Sequence, residues 1–261
     1  MTTSFEQACH DTEIAAASTL KSATELARLA RALQKAAKEG NVSAIKRTAS
    51  RLDDALDTLR QEVANAVATW PFEDGGEAEY LKEHYAVELR SVATEKGLAI
   101  YERDGRLISY PSIVRIFPGD QAIGIDKKRV STLRPSYLAE ILANNQKKQP
   151  RFRSDMFLES LYKVYRQFVE PTGLLKEPVM PLARIYEIFT SLPGSSREYD
   201  KTEFARSLYF LESNGPTHTK SGARVSFPSS TGTRSARGTF PFVGPDGQVI
   251  TYYGIQFSGG E

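Results

Sequence analysis

The sequence predicts an α+β, mostly helical protein built from a helical hairpin, a small β element and a C-terminal helical unit with β-hairpins. Three observations predict it. An apolar register runs through Val42, Ile45, Ala49, Leu52, Leu56, Leu59, Val63, Ala66 and Trp70. Its steps alternate between three and four residues, the spacing of a helix that buries a narrow stripe against a partner helix. A weaker register, Ser22, Leu26, Leu29, Leu33 and Ala36, precedes it, and Gly40-Asn41 separates the two. The third observation is a change in patterning after residue 97, from helical periodicity to short β-rich runs around Asp-Gly and Pro-Gly turns.

The first helix is expected over residues 12–39, with Asp11 or Thr12 as N-cap and Gly40 after its end. Alanine fills much of it (Ala15, Ala16, Ala17, Ala23, Ala27, Ala30), which favours helix and permits close helix approach. Asn41 or Ser43 caps a second helix that runs to about Thr69, and Pro71 prevents its continuation. At 1.5 Å per residue each helix is on the order of 40 Å long. A coiled-coil-like antiparallel hairpin of this kind is usually an assembly device. Leu52, Leu56, Leu59, Val63 and Trp70 are its candidate residues for binding a protein partner or a second copy of the chain.

After a Glu73–Gly76 linker, one helix is expected from Glu77 to Lys96, with Tyr80, His84, Val87 and Val92 inward. Leu98–Arg103 and Arg106–Tyr110 flank Asp104-Gly105, a strong two-residue hairpin signal. Ile113–Phe117 and Ala122–Ile125 form a second pair, giving a meander of three or four strands closed by Asp126–Arg129. A helix over 135–145 follows. The segments are thus 1–72, the hairpin; 73–150, a helix, the meander and a helix; and 151–261, the C-terminal unit.

In that last segment Ser154 or Asp155 opens an amphipathic helix carrying Phe157, Leu158, Leu161, Val164, Tyr165 and Phe168. A second helix spans about 181–192. A third spans about 202–213, with Asp200 as cap and Glu203 three residues on, in the spacing of a capping box. The strands 223–227, 239–243 and 249–257 follow. Three helices and then β-hairpins is the order of a winged-helix unit, whose third helix can enter the major groove of DNA while the wing touches its backbone.

Charge is divided unevenly. Residues 1–100 hold 12 Lys+Arg and 16 Asp+Glu, a net of −4; the remainder of the 34 and 32 leaves 22 and 16, a net of +6 for residues 101–261. The candidate nucleic-acid-binding residues are Lys147, Lys148, Arg151, Arg153, Lys201, Arg206, Lys220, Arg224, Arg234 and Arg237. Arg234 and Arg237 belong to a Ser, Thr and Gly-rich loop suited to a phosphate backbone or an acidic partner.

The catalytic repertoire is thin. The sequence has no P-loop, no G-x-S-x-G elbow and no H-E-x-x-H helix. His10, His84 and His218 are dispersed, and the single Cys9 excludes an intramolecular disulfide and a cysteine-rich zinc site. No metal, cofactor or catalytic residue is therefore assigned. Asp120 with Asp126-x-Lys128 is the one arrangement that suggests metal-dependent cleavage of nucleic acid. No apolar run reaches the length of a membrane span and the N-terminus does not read as a secretory signal, so a cytoplasmic protein is expected. The leading reading is a non-enzymatic accessory subunit that assembles through its hairpin and contacts double-stranded DNA through its basic C-terminal half. The alternatives are a scaffold without nucleic acid and a small nuclease.

Overall fold

A computed structural model of the chain describes residues 4–73, 75–103, 105–148, 152–169, 178–192, 199–228 and 238–259. It is a mixed α+β structure that divides into two compact units. The first comprises Met1–Val92, Ile116–Ala122 and Ser131–Ala139; the second comprises Ala93–Arg115, Ile123–Val130 and Glu140–Glu261. The units interleave in sequence, where the local pattern suggests three consecutive segments.

In the first unit, α1 (Phe5–Lys38) and α2 (Val42–Ala68) form the expected antiparallel hairpin. Gly40 turns the chain at φ +68°, a conformation that only glycine adopts cheaply. Asn41 caps α2, its side chain accepting from the Ala44 amide. α1 starts seven residues earlier than the local pattern suggests. Ser4 caps it, and the Glu88 carboxylate accepts from the Phe5 and Glu6 amides at 3.1 and 2.8 Å. A carboxylate at a helix N-terminus satisfies otherwise unpaired amides and complements the dipole. This one comes from more than eighty residues away, so no local signal announces it.

Arg134 anchors the same end of α1 through Glu6 and Glu13, and the Ser136 amide and hydroxyl bind Glu6. Burial pushes the Glu6 carboxyl up, but these hydrogen bonds outweigh it and hold the group below the ordinary carboxylate range.

The single helix expected over 77–96 is two, α3 (Gly76–Glu83) and α4 (Tyr85–Glu95), broken at His84 with φ −122°. The break resets the helical phase. Tyr80, Leu81, Tyr85, Leu89 and Ala93 are buried, whereas His84 and Val87, expected inward, are exposed. Tyr85 donates to the Leu133 carbonyl.

Strands β1 (Tyr101–Arg103), β2 (Arg106–Ser109), β3 (Ser112–Phe117), β4 (Ala122–Ile125) and β5 (Lys128–Val130) form a meander in that order, so the central β element has five strands. A single 3-10 turn, Pro118–Asp120, joins β3 to β4. β5 falls where a closing charged run is expected. Asp126 makes the turn into it at φ +55°, because a short polar side chain tolerates that region and here accepts from the Ile113 amide. Helix α5 (Pro135–Gln146) follows.

The rest of the second unit is α6 (Ser154–Val169), β6 (Met180–Pro181), α7 (Leu182–Phe189), α8 (Lys201–Asn214), β7 (Arg224–Ser226), β8 (Phe240–Val243), β9 (Val249–Tyr252) and β10 (Gly254–Ser258). β10 lies antiparallel between β6 and β7, while β8 and β9 form a separate hairpin. In the β8–β9 turn Gly247 sits at φ +80°, and a Cβ there would collide with the Tyr101 hydroxyl. Phe204 on α8 is the hub of the core, with rings of Phe157, Tyr186, Phe189, Tyr199 and Phe240 around it.

Candidate interaction surfaces

The hairpin register is fixed by the Thr19 hydroxyl, which donates to the Glu62 carbonyl, and by Arg51 and Glu25, 4.0 Å apart. With this register the single seam read from α2 resolves into two lines. Ile45, Leu52, Leu59 and Ala66, half-buried, face α1 together with Thr48 and Ala55. Val42, Ala49, Leu56 and Val63 recur every seventh residue along the side of the hairpin, and all but Leu56 are exposed. A strict seven-residue repeat drifts around a straight 3.6-residue helix, and a step pattern of three and four cannot by itself say which line faces the partner.

The matching flank of α1 is Ala16, Ala23, Ala30 and Ala37, also at seven-residue intervals and largely exposed. In an antiparallel pair these two lines lie on the same face. Positions beside a seam usually carry charge; here both lines are wholly apolar. The opposite face carries Glu25, Arg51, Thr58 and Asn65. None of the 27 residues of α2 is fully buried. Leu20 and Val67 at the rims of the apolar face are 68% and 77% exposed.

The partner-binding candidates therefore separate. Leu52 and Leu59 belong to the seam, and Leu56 and Val63 to the open face. Trp70 packs on Phe5 and Phe72 and donates its indole N–H to Glu77 at 3.0 Å. The alanine line was legible from its spacing alone, but identical periods on the seam hid it.

Among the basic candidates, Lys147, Lys148, Arg153, Lys201, Lys220 and Arg224 are exposed, and Arg151, Arg234 and Arg237 lie outside the described residues. Arg206 is largely buried. Its guanidinium pairs with Asp126 and donates to the Pro111 carbonyl. α8 itself is buried along most of its length, from Thr202 to Ala205 and from Ser207 to Leu211. Asp200 caps it as expected, accepting from the Glu203 amide. The Glu203 side chain does not complete the box; it pairs with Arg115 at 2.8 Å and is 2% exposed. Burial pushes its carboxyl up against the pull of Arg115. A cleft of about 430 Å³ is lined by Arg103, Arg106, Lys201, Tyr186 and Thr202, with Arg106 tied to Asp200 at 3.1 Å. Arg103 and Arg106 as partners of Lys201 were not legible in sequence, because the meander turn brings them there.

The Asp126 side chain, one of the two carboxylates of the candidate nuclease arrangement, accepts from Ser112 and the Ile113 amide besides pairing with Arg206. Among the described residues no group of three potential ligands is placed to hold a metal ion, and no helix is long and apolar enough to cross a membrane. Comparisons with family models, with curated proteins and with solved structures found no match.

Proposed function

We propose that the chain is a non-enzymatic accessory subunit that docks to a protein through the open face of its helical hairpin. The observation that carries this reading is the continuous apolar face between the alanine line of α1 and the Val42–Val63 line of α2. Exposed apolar surface of more than a few hundred Å² marks interaction sites on globular proteins. The engagement of Asp126 with a backbone amide, a hydroxyl and a guanidinium supports the non-enzymatic part of the reading, since that carboxylate already serves the fold. A cytoplasmic setting goes with it.

Val63→Asp with Val67→Asp tests the docking. Both residues are exposed, at 44% and 77%, so the hairpin is expected to keep its helicity by circular dichroism. Native mass spectrometry of the complex purified from its source should show the partner lost. Unchanged retention of the partner overturns the reading.

The second part of the proposal is contact with double-stranded DNA by the basic second unit. What supports it is the strand β6, which lies between α6 and α7 in the chain and pairs in a sheet ordered β6-β10-β7, an order compatible with a winged-helix-like unit, together with exposed cations at β7 and at the cleft. With Arg206 and most of α8 buried, contact falls to the exposed Lys147, Lys148, Arg153, Lys201, Lys220 and Arg224, with Arg103 beside Lys201 at the cleft. Each phosphate contact removed lowers the salt slope by about 0.9 on duplex DNA. Lys220→Ala with Arg224→Ala should flatten it by at most about 2. Fluorescence anisotropy on random duplex at two salt concentrations reads this out, and absence of binding at low salt leaves a scaffold that acts through its hairpin alone.

A further inference from the structure

The open hairpin face is complementary to itself. The Thr19–Glu62 register fixes which residues of the two helices lie at the same height. Val63 of α2 lies level with the gap between Ala16 and Ala23 of α1, and Leu56 with the gap between Ala23 and Ala30. The large side chains thus stand on one helix and the small ones on the other, in staggered rows.

Consider a second hairpin facing the first across a two-fold axis parallel to the helices. That operation sets α1 of each copy opposite α2 of the other at unchanged height. Leu56 and Val63 then each meet a gap between two alanines, twice over, as a two-fold interface requires. Four helices packed in this way make a bundle with knobs set into holes. The outer rim of α1 carries Glu13, Leu20, Ala27 and Gln34, so a single charge lies along it and no row of like charges is opposed.

The area suffices. From Ala16 to Ala37 the face is roughly 30 Å long. With helix axes about 10 Å apart it is roughly 20 Å wide. That is on the order of 600 Å² per copy and about 1,200 Å² in total, the range of a specific interface.

We infer that the hairpin's occupant is a second copy of this chain, forming a two-fold four-helix bundle in which Leu56 and Val63 of each copy seat between Ala16, Ala23 and Ala30 of the other. This rests on the docking reading above and names its partner. Sedimentation equilibrium of the full chain, up to about 100 µM, should give twice 29.0 kDa. Ala23→Glu with Ala30→Glu sets unpaired carboxylates against Leu56 and Val63 of the other copy and should weaken dimerisation ~100-fold or more. Ala32→Glu, on the polar face of the same helix, should leave the dimer intact, and circular dichroism should show equal helicity in all three chains.

A monomer at about 100 µM overturns the second copy as occupant. A dimer indifferent to Ala23→Glu with Ala30→Glu overturns it as well, because the dimer then uses another surface. Both failures differ from failure of the docking reading, which is judged by whether Val63→Asp with Val67→Asp releases the native partner.

Discussion

The two units of this chain solve the problem of apolar surface in opposite ways. The second unit surrounds Phe204 with aromatic rings and buries α8 on nearly every side. The hairpin of the first unit covers one line of each helix and leaves the neighbouring line open, so that α2 has no fully buried residue. An element that hides all its apolar surface within the chain is committed to the fold. An element that hides half of it is a helix pair with an apolar line left uncovered at its side. The contrast extends to charge. Arg115 and Glu203 of the second unit form an enclosed ion pair, whereas the ion pairs of the hairpin, such as Arg28 and Glu25, lie in water and contribute little.

The strongest test of this contrast is Phe204→Ala, which should destabilise the second unit by about 3–5 kcal/mol in chemical denaturation. Val67→Ala on the hairpin should stay within about 0.5 kcal/mol. Comparable costs for the two would remove the distinction between a committed core and an open face.

Arg115→Met should cost a similar ~3–5 kcal/mol at neutral pH, since it strands the buried Glu203 carboxylate. That cost should shrink in acid, where Glu203 takes up a proton. A cost by urea titration that does not shrink as the pH is lowered through the acid range would mean that the Arg115–Glu203 charge pair is not what the substitution removes.

Glu88→Ala comes next. It removes acceptors from the Phe5 and Glu6 amides, the Ser4 hydroxyl and the Tyr80 hydroxyl, at a cost of ~1.5–3 kcal/mol. Hydrogen exchange should show the first turn of α1 fraying while the Gly40 end is unchanged. Loss of Glu88 also relieves Tyr80, whose hydroxyl is pushed up to about 12 by burial first and by Glu88 second; its titration by ultraviolet difference absorbance should move down.

The smallest effect is the pH dependence, and its sign differs between the units. Glu6 is held below its ordinary value in the folded state. The stability it provides is complete above the unfolded carboxylate value and is lost as pH falls through the lowered one. Glu203 is raised. The folded state then binds its proton more tightly than the unfolded, so this group's contribution improves as pH falls from the raised value to the ordinary one. Carboxyl titrations by NMR should show the two midpoints on opposite sides of the unfolded value. Midpoints on the same side would show that enclosure does not separate these sites.

The helical hairpin, its turn at Gly40-Asn41, the β1–β2 hairpin with Gly105 at positive φ, the amphipathic α6 and the Asp200 cap were all legible in the sequence. Each depends on residues within a turn or two of one another, through periodicity, capping chemistry or tolerance of positive φ. The alanine and Val42–Val63 lines were present too, as seven-residue repeats. Which of two adjacent lines faces α1 depends on how the helices cross, which the half-burial of Ile45, Leu52, Leu59 and Ala66 and the Thr19–Glu62 contact display.

What the tertiary structure alone decided are the long-range partners. Glu88 completes the N-terminus of α1, Asp126 takes Arg206 out of the exposed basic surface, Arg115 diverts Glu203 from its capping box, and β10 gives β6 its strand pairing. A buried donor or charge must find a partner wherever the fold brings one within reach. The partners joined in this way are separated by tens of residues, beyond the range of any local pattern.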